Sequence, residues 1–113
     1  MSLIYKILTR AAWQDAEVKG RFDGAPIDLK DGFIHFSTAA QAQETAAKHF
    51  HGEPDLVVAA FEADDLGEGL RWEPSRGGDL FPHLYGPLDP ALAKNVREAP
   101  LGPDGVPKLG ALP

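Results

Sequence analysis

Two short stretches, residues 32–38 and residues 81–86, carry the side chains best suited to chemistry. In a β-strand the side chains alternate between two faces, so His35 and Ser37 share one face of the first stretch. By the same alternation, Phe81, His83 and Tyr85 share one face of the second stretch. Two histidines facing one cleft could orient hydroxyl groups or transfer protons near neutral pH. The sequence therefore predicts a common cleft with His35 and His83 as candidate catalytic residues.

A helix is predicted to begin directly after the first stretch. Thr38 followed three residues later by Gln41 has the spacing of a capping box, in which both side chains bond to backbone N–H groups. The free N–H groups at a helix start can hold an anion or a sugar hydroxyl. Ser37 and Thr38 are therefore predicted to bind substrate beside His35.

Three further side chains complete the predicted substrate-binding set, each with an alternative interpretation. Tyr85 could stack on a ring or donate its hydroxyl, or it could be a core aromatic residue. Lys6, in an otherwise apolar first strand, either extends outward to solvent or lines a polar cleft. Glu73 lies on the face of its short strand opposite Trp72, so it either reaches the cleft or forms a surface ion pair.

Several other kinds of site are not supported. His49 and His51 form an H-x-H pair, but no nearby carboxylate has convincing ligand spacing, so no metal site is predicted. Ser37 lacks the Gly-x-Ser-x-Gly elbow of serine hydrolases. Gly77-Gly78 lacks the lysine and hydroxyl of a phosphate loop. Without cysteine the chain has no disulfide, thiolate zinc site or cysteine nucleophile.

The elements that must position these residues predict an α+β fold. A bent, mostly antiparallel sheet is expected, with two main helices and a loop of about a dozen residues before the His35 strand. The expected strands are residues 3–8, 33–37, 55–62, 70–73, 81–85 and 95–99, and the helices begin after Thr9 and Thr38. Residues 1–99 are predicted to form a single domain, and residues 100–113 a Pro/Gly-rich irregular tail, either a strap or a disordered end.

Composition limits the partners. The formal net charge of −6 argues against non-specific binding to nucleic acid, which needs clustered Lys and Arg. No signal peptide and no apolar run long enough to cross a bilayer is found, so a cytoplasmic protein without a membrane partner is expected. A small molecule is the predicted ligand, and the sequence does not determine the oligomeric state.

Three motifs carry a family resemblance: IYKI at residues 4–7, DGFIHFST at residues 31–38, and GGDLFPHLYGPL at residues 77–88. With these motifs the chain, up to about Ala99, resembles a bacterial domain-of-unknown-function family, number nine-five-two. That family is similar to a compact ADP-ribosyltransferase fold, closest to the RNA 2′-phosphotransferases.

The resemblance implies a site and a reaction. In those relatives a strand of the His-Val-His-Leu-Ser type matches the stretch with His35 and Ser37, and Lys6 stands where a first-strand histidine grips the dinucleotide. A catalytic glutamate on a late strand would correspond to Glu73 or Glu98. The implied reaction is attack at the nicotinamide-ribose carbon of NAD, with His35 holding ribose or phosphate oxygens.

Three hypotheses about function follow. The first is an ADP-ribosyltransferase-like enzyme that acts on NAD or on an ADP-ribosylated or phosphorylated small substrate. The second is a module that binds a small ligand in the same cleft without turnover. The third is a structural or interaction domain in which the histidine motifs only stabilise turns. Whether the chain is an enzyme is left open by the sequence.

Overall fold

Two antiparallel β-sheets with helices packed against them make up the fold. The computed structural model describes residues 2–112, so the predicted bounds at Met1 and Pro113 lie outside it. The strands are β1 (Leu3–Thr9), β2 (Ile34–His35), β3 (Ser37–Thr38), β4 (Leu56–Glu62), β5 (Leu70–Pro74), β6 (Leu80–Leu84) and β7 (Asn95–Ala99). The α-helices are α1 (Arg10–Lys19), α2 (Pro26–Asp31) and α3 (Ala39–His49), and 3₁₀ helices span Ala63–Gly69, Arg76–Gly78 and Pro90–Leu92.

The chain passes from one sheet to the other at Phe36. The four-stranded sheet has the order β3-β1-β4-β7, and the three-stranded sheet has the order β2-β6-β5. Phe36 lies between β2 and β3, its side chain is buried, and its N–H donates to the carbonyl oxygen of Pro82 at 3.0 Å. The α+β class and the antiparallel pairing are confirmed. The single bent sheet expected from the sequence is wrong, because this one buried residue divides it into two.

The two longer helices begin at their predicted capping residues, and α1 also ends at the predicted glycine. The hydroxyl of Thr9 accepts a hydrogen bond from the N–H of Ala12, and Gly20, with a φ of 74°, ends α1. In α3 the Thr38 hydroxyl accepts from the N–H of Gln41, and the Gln41 side chain accepts from the N–H of Thr38. The predicted capping box is therefore confirmed.

Helix α2 lies within residues 20–32, where only a loop was predicted. Pro26 occupies its first turn, and Gly32, with a φ of 87°, ends it. Its buried side chain is the carboxylate of Asp28, whereas Ile27 and Leu29 are exposed. A helix whose buried position is charged has no apolar stripe, so the hydrophobic pattern that reveals most helices gives no signal here.

The apolar core forms two layers on opposite faces of the four-stranded sheet. The layer between the two sheets includes the ring of Phe61, which meets the rings of Trp13 and Phe36 edge-on at 6.3 and 5.9 Å. The second layer lies under α3 and contains the side chains of Tyr5 and Leu109. Within residues 2–112, no helix combines the length and apolar character that crossing a bilayer requires.

Residues 100–112 run across α3 and complete this second layer. The side-chain amide of Gln43 donates to the carbonyl oxygen of Pro107 at 2.9 Å and accepts from the N–H of Leu109 at 3.3 Å. The side chain of Leu109 is 2% exposed. One glutamine of α3 thus holds the irregular segment through both its donor and its acceptor.

Candidate functional site

His35 and His83 are cross-strand neighbours. The register of β2 and β6 pairs them directly, and their ring centroids lie 5.5 Å apart at an interplanar angle of 72°. Strand β5 pairs with the other side of β6 and adds a carboxylate to the same surface. We call this surface the histidine face, and it consists of Phe33, His35, Glu73, His83 and Tyr85. The structure brings together the two histidines that strand parity placed on one cleft, and their catalytic roles stay predictions.

Glu73 holds His83 and Tyr85 through one oxygen. His83 Nδ1 and the Tyr85 hydroxyl both donate to Glu73 Oε1, each at 2.8 Å. Because a carboxylate only accepts, the proton of this contact belongs to His83 Nδ1. The hydrogen bonds from His83 and Tyr85 lower the pKa of Glu73, and the bond to Glu73 raises the pKa of Tyr85. Glu73 is therefore a fixed acceptor at neutral pH.

Phe33 covers the ring of His83. The two rings are stacked at 4.1 Å with an interplanar angle of 29°, and His83 is only 5% exposed. Phe33 also contacts the rings of His35 and Tyr85, at centroid distances of 4.6 and 5.3 Å. Stacking covers one face of the imidazole, so a partner cannot approach His83 from that side.

Lys6 is buried and does not extend to solvent. Its Nζ lies 3.1 Å from Oδ1 and 2.9 Å from Oδ2 of Asp28, and both side chains are almost fully buried. The interpretation that Lys6 points outward is therefore wrong, because β1 is an inner strand and Lys6 faces the second sheet beside Phe22. Burial lowers the pKa of Lys6, an effect that the charge and hydrogen bond of Asp28 oppose.

Asp28 joins Lys6 to His35. Its Oδ1 lies 2.6 Å from His35 Nδ1 and accepts the backbone N–H of His35 at 3.1 Å, while Oδ2 accepts the N–H of Ala25 at 2.8 Å. On the far side of the ring, His35 Nε2 lies 3.0 Å from a carboxylate oxygen of Asp31. Each ring nitrogen of His35 thus faces an oxygen that only accepts, and a proton on both nitrogens satisfies both contacts. The carboxylate of Asp28 therefore connects helix α2 to strands β1 and β2.

Asp28 is expected to make stability depend on pH between about pH 4 and pH 2. Burial would raise its pKa, but the bond from His35, the charge of Lys6 and the N–H of Ala25 outweigh burial and lower the pKa to about 2. A carboxyl whose pKa is lower in the folded state stabilises the fold above its unfolded pKa, and this stabilisation is lost as the pH falls through the folded value. A lowering of the pKa from 3.8 to about 2 corresponds to a loss of about 2 kcal/mol.

Urea unfolding followed by tryptophan fluorescence between pH 5 and pH 2 measures this loss. In Asp28→Asn, which cannot ionise at this position, the free energy of unfolding is expected to fall less steeply over the same range. Equal slopes for the two proteins would contradict the assignment of the shift to Asp28.

Ser37 and Thr38 do not join the histidine face. Ser37 pairs with Tyr5 of β1, and its buried hydroxyl lies 2.9 Å from the Thr45 hydroxyl on α3. The prediction that Ser37 stands beside His35 is wrong, because alternation along one strand does not continue past the change of sheet at Phe36. The Thr38 hydroxyl is engaged in the capping box, so its predicted contact with a substrate has no support from the geometry.

A shallow cavity of about 290 Å³ adjoins the site. Its walls are mainly apolar, and they include Leu29, Phe33, Leu84 and Pro87, with Asp28 among the lining residues. Phe33 therefore borders the cavity and also packs against the histidine rings.

Sequence reasoning missed Asp28, although a proline at the start of a short segment and a glycine just after it is a known helix signature.

No metal centre accompanies the site in the part of the chain that the structure describes. Within residues 2–112, no three His, Cys, Asp or Glu side chains come together as a metal-binding group. Of the H-x-H pair, His51 has its Nε2 3.2 Å from the carbonyl oxygen of Asp104.

Comparison with known proteins identifies relatives of the chain. The sequence profile of the family described as "Protein of unknown function (DUF952)" matches residues 7–96. The crystal structure of protein CC0527 from Caulobacter crescentus is 56% identical, with a TM-score of 0.94 and 96% of each chain covered. The solution NMR structure of CC0527 is 56% identical, with a TM-score of 0.86, and 97% of this chain and 95% of that chain are covered. No functionally curated protein matches. The likeness to ADP-ribosyltransferases stays a prediction.

Proposed function

The chain belongs to the DUF952 family, and we propose that it is an ADP-ribosyltransferase-like enzyme that binds NAD or an ADP-ribosylated or phosphorylated small molecule at the histidine face. The observation that carries this proposal is the connection of four residues, spread between positions 6 and 83 of the sequence. Lys6 contacts Asp28, Asp28 contacts His35, and His35 pairs with His83. Such convergence of polar groups beside an apolar cavity is typical of ligand sites.

The chemistry of the histidine face suits a ligand with a flat ring, sugar hydroxyls and phosphate. Phe33 and Tyr85 offer aromatic surfaces for stacking, and Tyr85 is 41% exposed. The Arg71 guanidinium lies 5.3 Å from the centre of the Tyr85 ring, at an exposed position where it can meet a phosphate. Lys6 offers no such charge, because Asp28 neutralises it.

His35 can contact a ligand oxygen only by exchanging a partner. Its Nδ1 is held by Asp28, whose side chain is 1% exposed, whereas its Nε2 is held by Asp31, whose side chain is 37% exposed. A ribose or phosphate oxygen that replaces Asp31 would receive the same hydrogen bond. His35 would then hold the substrate while Asp28 keeps the imidazole ring in place.

Thermal unfolding in the presence of NAD and ADP-ribose tests the proposal. At about one hundred times the dissociation constant, a ligand that binds the folded state adds roughly 2.7 kcal/mol, which is several degrees for a domain of this size. This shift is expected to disappear in His35→Ala, measured against that variant's own melting temperature. The matched control is His51→Ala, which removes an exposed histidine outside the histidine face and should keep the full shift. The absence of any shift with NAD, ADP-ribose, nicotinamide and a set of nucleotides would contradict the proposal.

Ligand binding without turnover is the second candidate function, and the Lys6–Asp28 pair favours it. The resemblance implies a histidine that binds the dinucleotide at position 6. In this chain position 6 is a lysine, and its charge is paired with the buried carboxylate of Asp28. A melting shift with ADP-ribose or NAD, without release of nicotinamide from NAD, would select this candidate over the enzyme.

A further inference from the structure

Among the residues that the structure describes, none is a hydrogen-bond partner for one ring nitrogen of His83. Its Nδ1 donates to Glu73, and no hydrogen bond from the described side chains or backbone reaches Nε2. The side chain is only 6% exposed, so bulk solvent contributes little to the hydrogen bonding of this atom. Buried polar atoms are nearly always hydrogen-bonded, and an exception in a folded protein needs an explanation. A ligand group that forms a hydrogen bond with Nε2 would explain why the protein leaves this atom unpaired.

The other ionisable groups nearby are already occupied. Both ring nitrogens of His35 face carboxylates. Asp28 accepts hydrogen bonds at both of its oxygens and is paired with Lys6. Glu73 accepts two hydrogen bonds, and the Tyr85 hydroxyl is the donor of one of them. The second oxygen of Glu73 receives neither bond, but the two bonds at Oε1 stabilise the carboxylate and lower its pKa, which makes it a weak base. Of the ring nitrogens of His35 and His83, Nε2 of His83 is therefore the position at which a proton can be gained without breaking an existing contact.

We propose that His83 is the catalytic base of this site and accepts at Nε2 the proton of an attacking hydroxyl group, which belongs to water or to an alcohol. The inference rests on the proposed function. As the ribose carbon of NAD loses its bond to nicotinamide, the bonding electron pair leaves with the nicotinamide nitrogen. The hydroxyl oxygen forms the new bond to that carbon, and its proton passes to His83 Nε2. No oxidant or further reactant is needed.

Glu73 is a positioning residue in this scheme. By accepting from Nδ1 it fixes the ring orientation and leaves the lone pair on Nε2, which is the role of the carboxylate in His–carboxylate pairs generally. The titratable and charged groups that face His83 are Glu73 and Arg71 from β5, Tyr85 beyond the end of β6, and His35 from β2. The attacking water or alcohol must therefore reach Nε2 at the edge of the ring, between these groups and Phe33.

Nitrogen NMR of the histidine rings tests the proton placement without any reaction. In the ¹⁵N-labelled protein we expect the neutral ring of His83 to carry its proton on Nδ1 and none on Nε2. In Glu73→Gln this preference should be lost, because the amide can donate to Nδ1, whereas Glu73→Asp should retain it in part. A His83 ring that keeps its proton on Nε2 in the unsubstituted protein would overturn the inference.

Release of nicotinamide from NAD, measured across pH, tests the catalytic role. His83→Gln is expected to lower the rate by about 10²–10⁴-fold, the usual contribution of a general base, and to remove the fall in rate on the acid side. Glu73→Gln should displace that acid limb, and Glu53→Gln, an exposed carboxylate elsewhere, should leave the profile unchanged. If His83→Gln released nicotinamide at the full rate, the base assignment would fail and the proposed function would stand. If NAD neither bound nor reacted, both would fail together.

Discussion

Replacement of Asp28 by alanine is expected to lower the free energy of unfolding by about 3–5 kcal/mol, the usual cost of breaking a buried ion pair by removing one partner. The substitution leaves the ammonium of Lys6 buried without a counter-charge, and it removes the acceptor for two backbone N–H groups, those of Ala25 and His35. Because small domains are stable by only about 5–15 kcal/mol, this single change removes a large share of the total.

Urea unfolding measures this effect, and two variants make it specific. Asp31→Ala removes the other carboxylate on His35, which is partly exposed, and should cost less than about 1 kcal/mol. Adding Lys6→Met to Asp28→Ala removes the unpaired charge and should restore part of the lost stability. If Asp28→Ala were no more destabilising than Asp31→Ala, Asp28 would not hold α2 and β2 against β1.

Leu109→Ala is expected to destabilise the protein by about 2–4 kcal/mol, the cost of truncating a leucine in a packed core. Leu109 lies within the irregular segment, yet its side chain is 2% exposed and belongs to the core layer under α3. The loss combines the burial free energy of the removed side-chain atoms with the cost of the cavity left against the sheet. The result decides whether residues 100–112 are part of the folding unit.

Leu101→Ala is the matched control for this measurement. Leu101 lies in the same segment and is 39% exposed, so its truncation should change the free energy of unfolding by about 0.5 kcal/mol or less. Both variants are compared by urea unfolding at one pH. Equal small effects would show that the segment rests on α3 without contributing to the core.

Local patterns in the sequence predicted the arrangement of the histidines but not the whole surface around them. Alternation within each short strand placed His35 and His83 correctly, because each strand is regular at those residues. The same rule failed at Ser37, because the chain changes sheets at Phe36. That change depends on which distant strands pair, with β2 beside β6 and β3 beside β1, and no local spacing encodes this choice.

The environment of Lys6 shows a second limit of local reasoning. A lysine in an apolar strand is compatible with a solvent-facing or a buried side chain, and the deciding residue is Asp28, 22 positions away. Asp28 in turn lies on a helix with no apolar stripe. The local sequence around either residue therefore does not predict that the two form a pair. The capping box of Thr38 and Gln41 and the end of α1 at Gly20, by contrast, involve residues three or four positions apart and were predicted correctly.

The dependence of the second core layer on Leu109 has a consequence for biosynthesis. Strand β4 and helix α3 leave the ribosome well before Leu109, and their apolar side chains under α3 are then incompletely covered. Domains fold as units during synthesis, and apolar surface exposed in the meantime promotes aggregation. Until Leu109 has emerged and packed under α3, this sheet face is therefore expected to stay partly uncovered in the nascent chain.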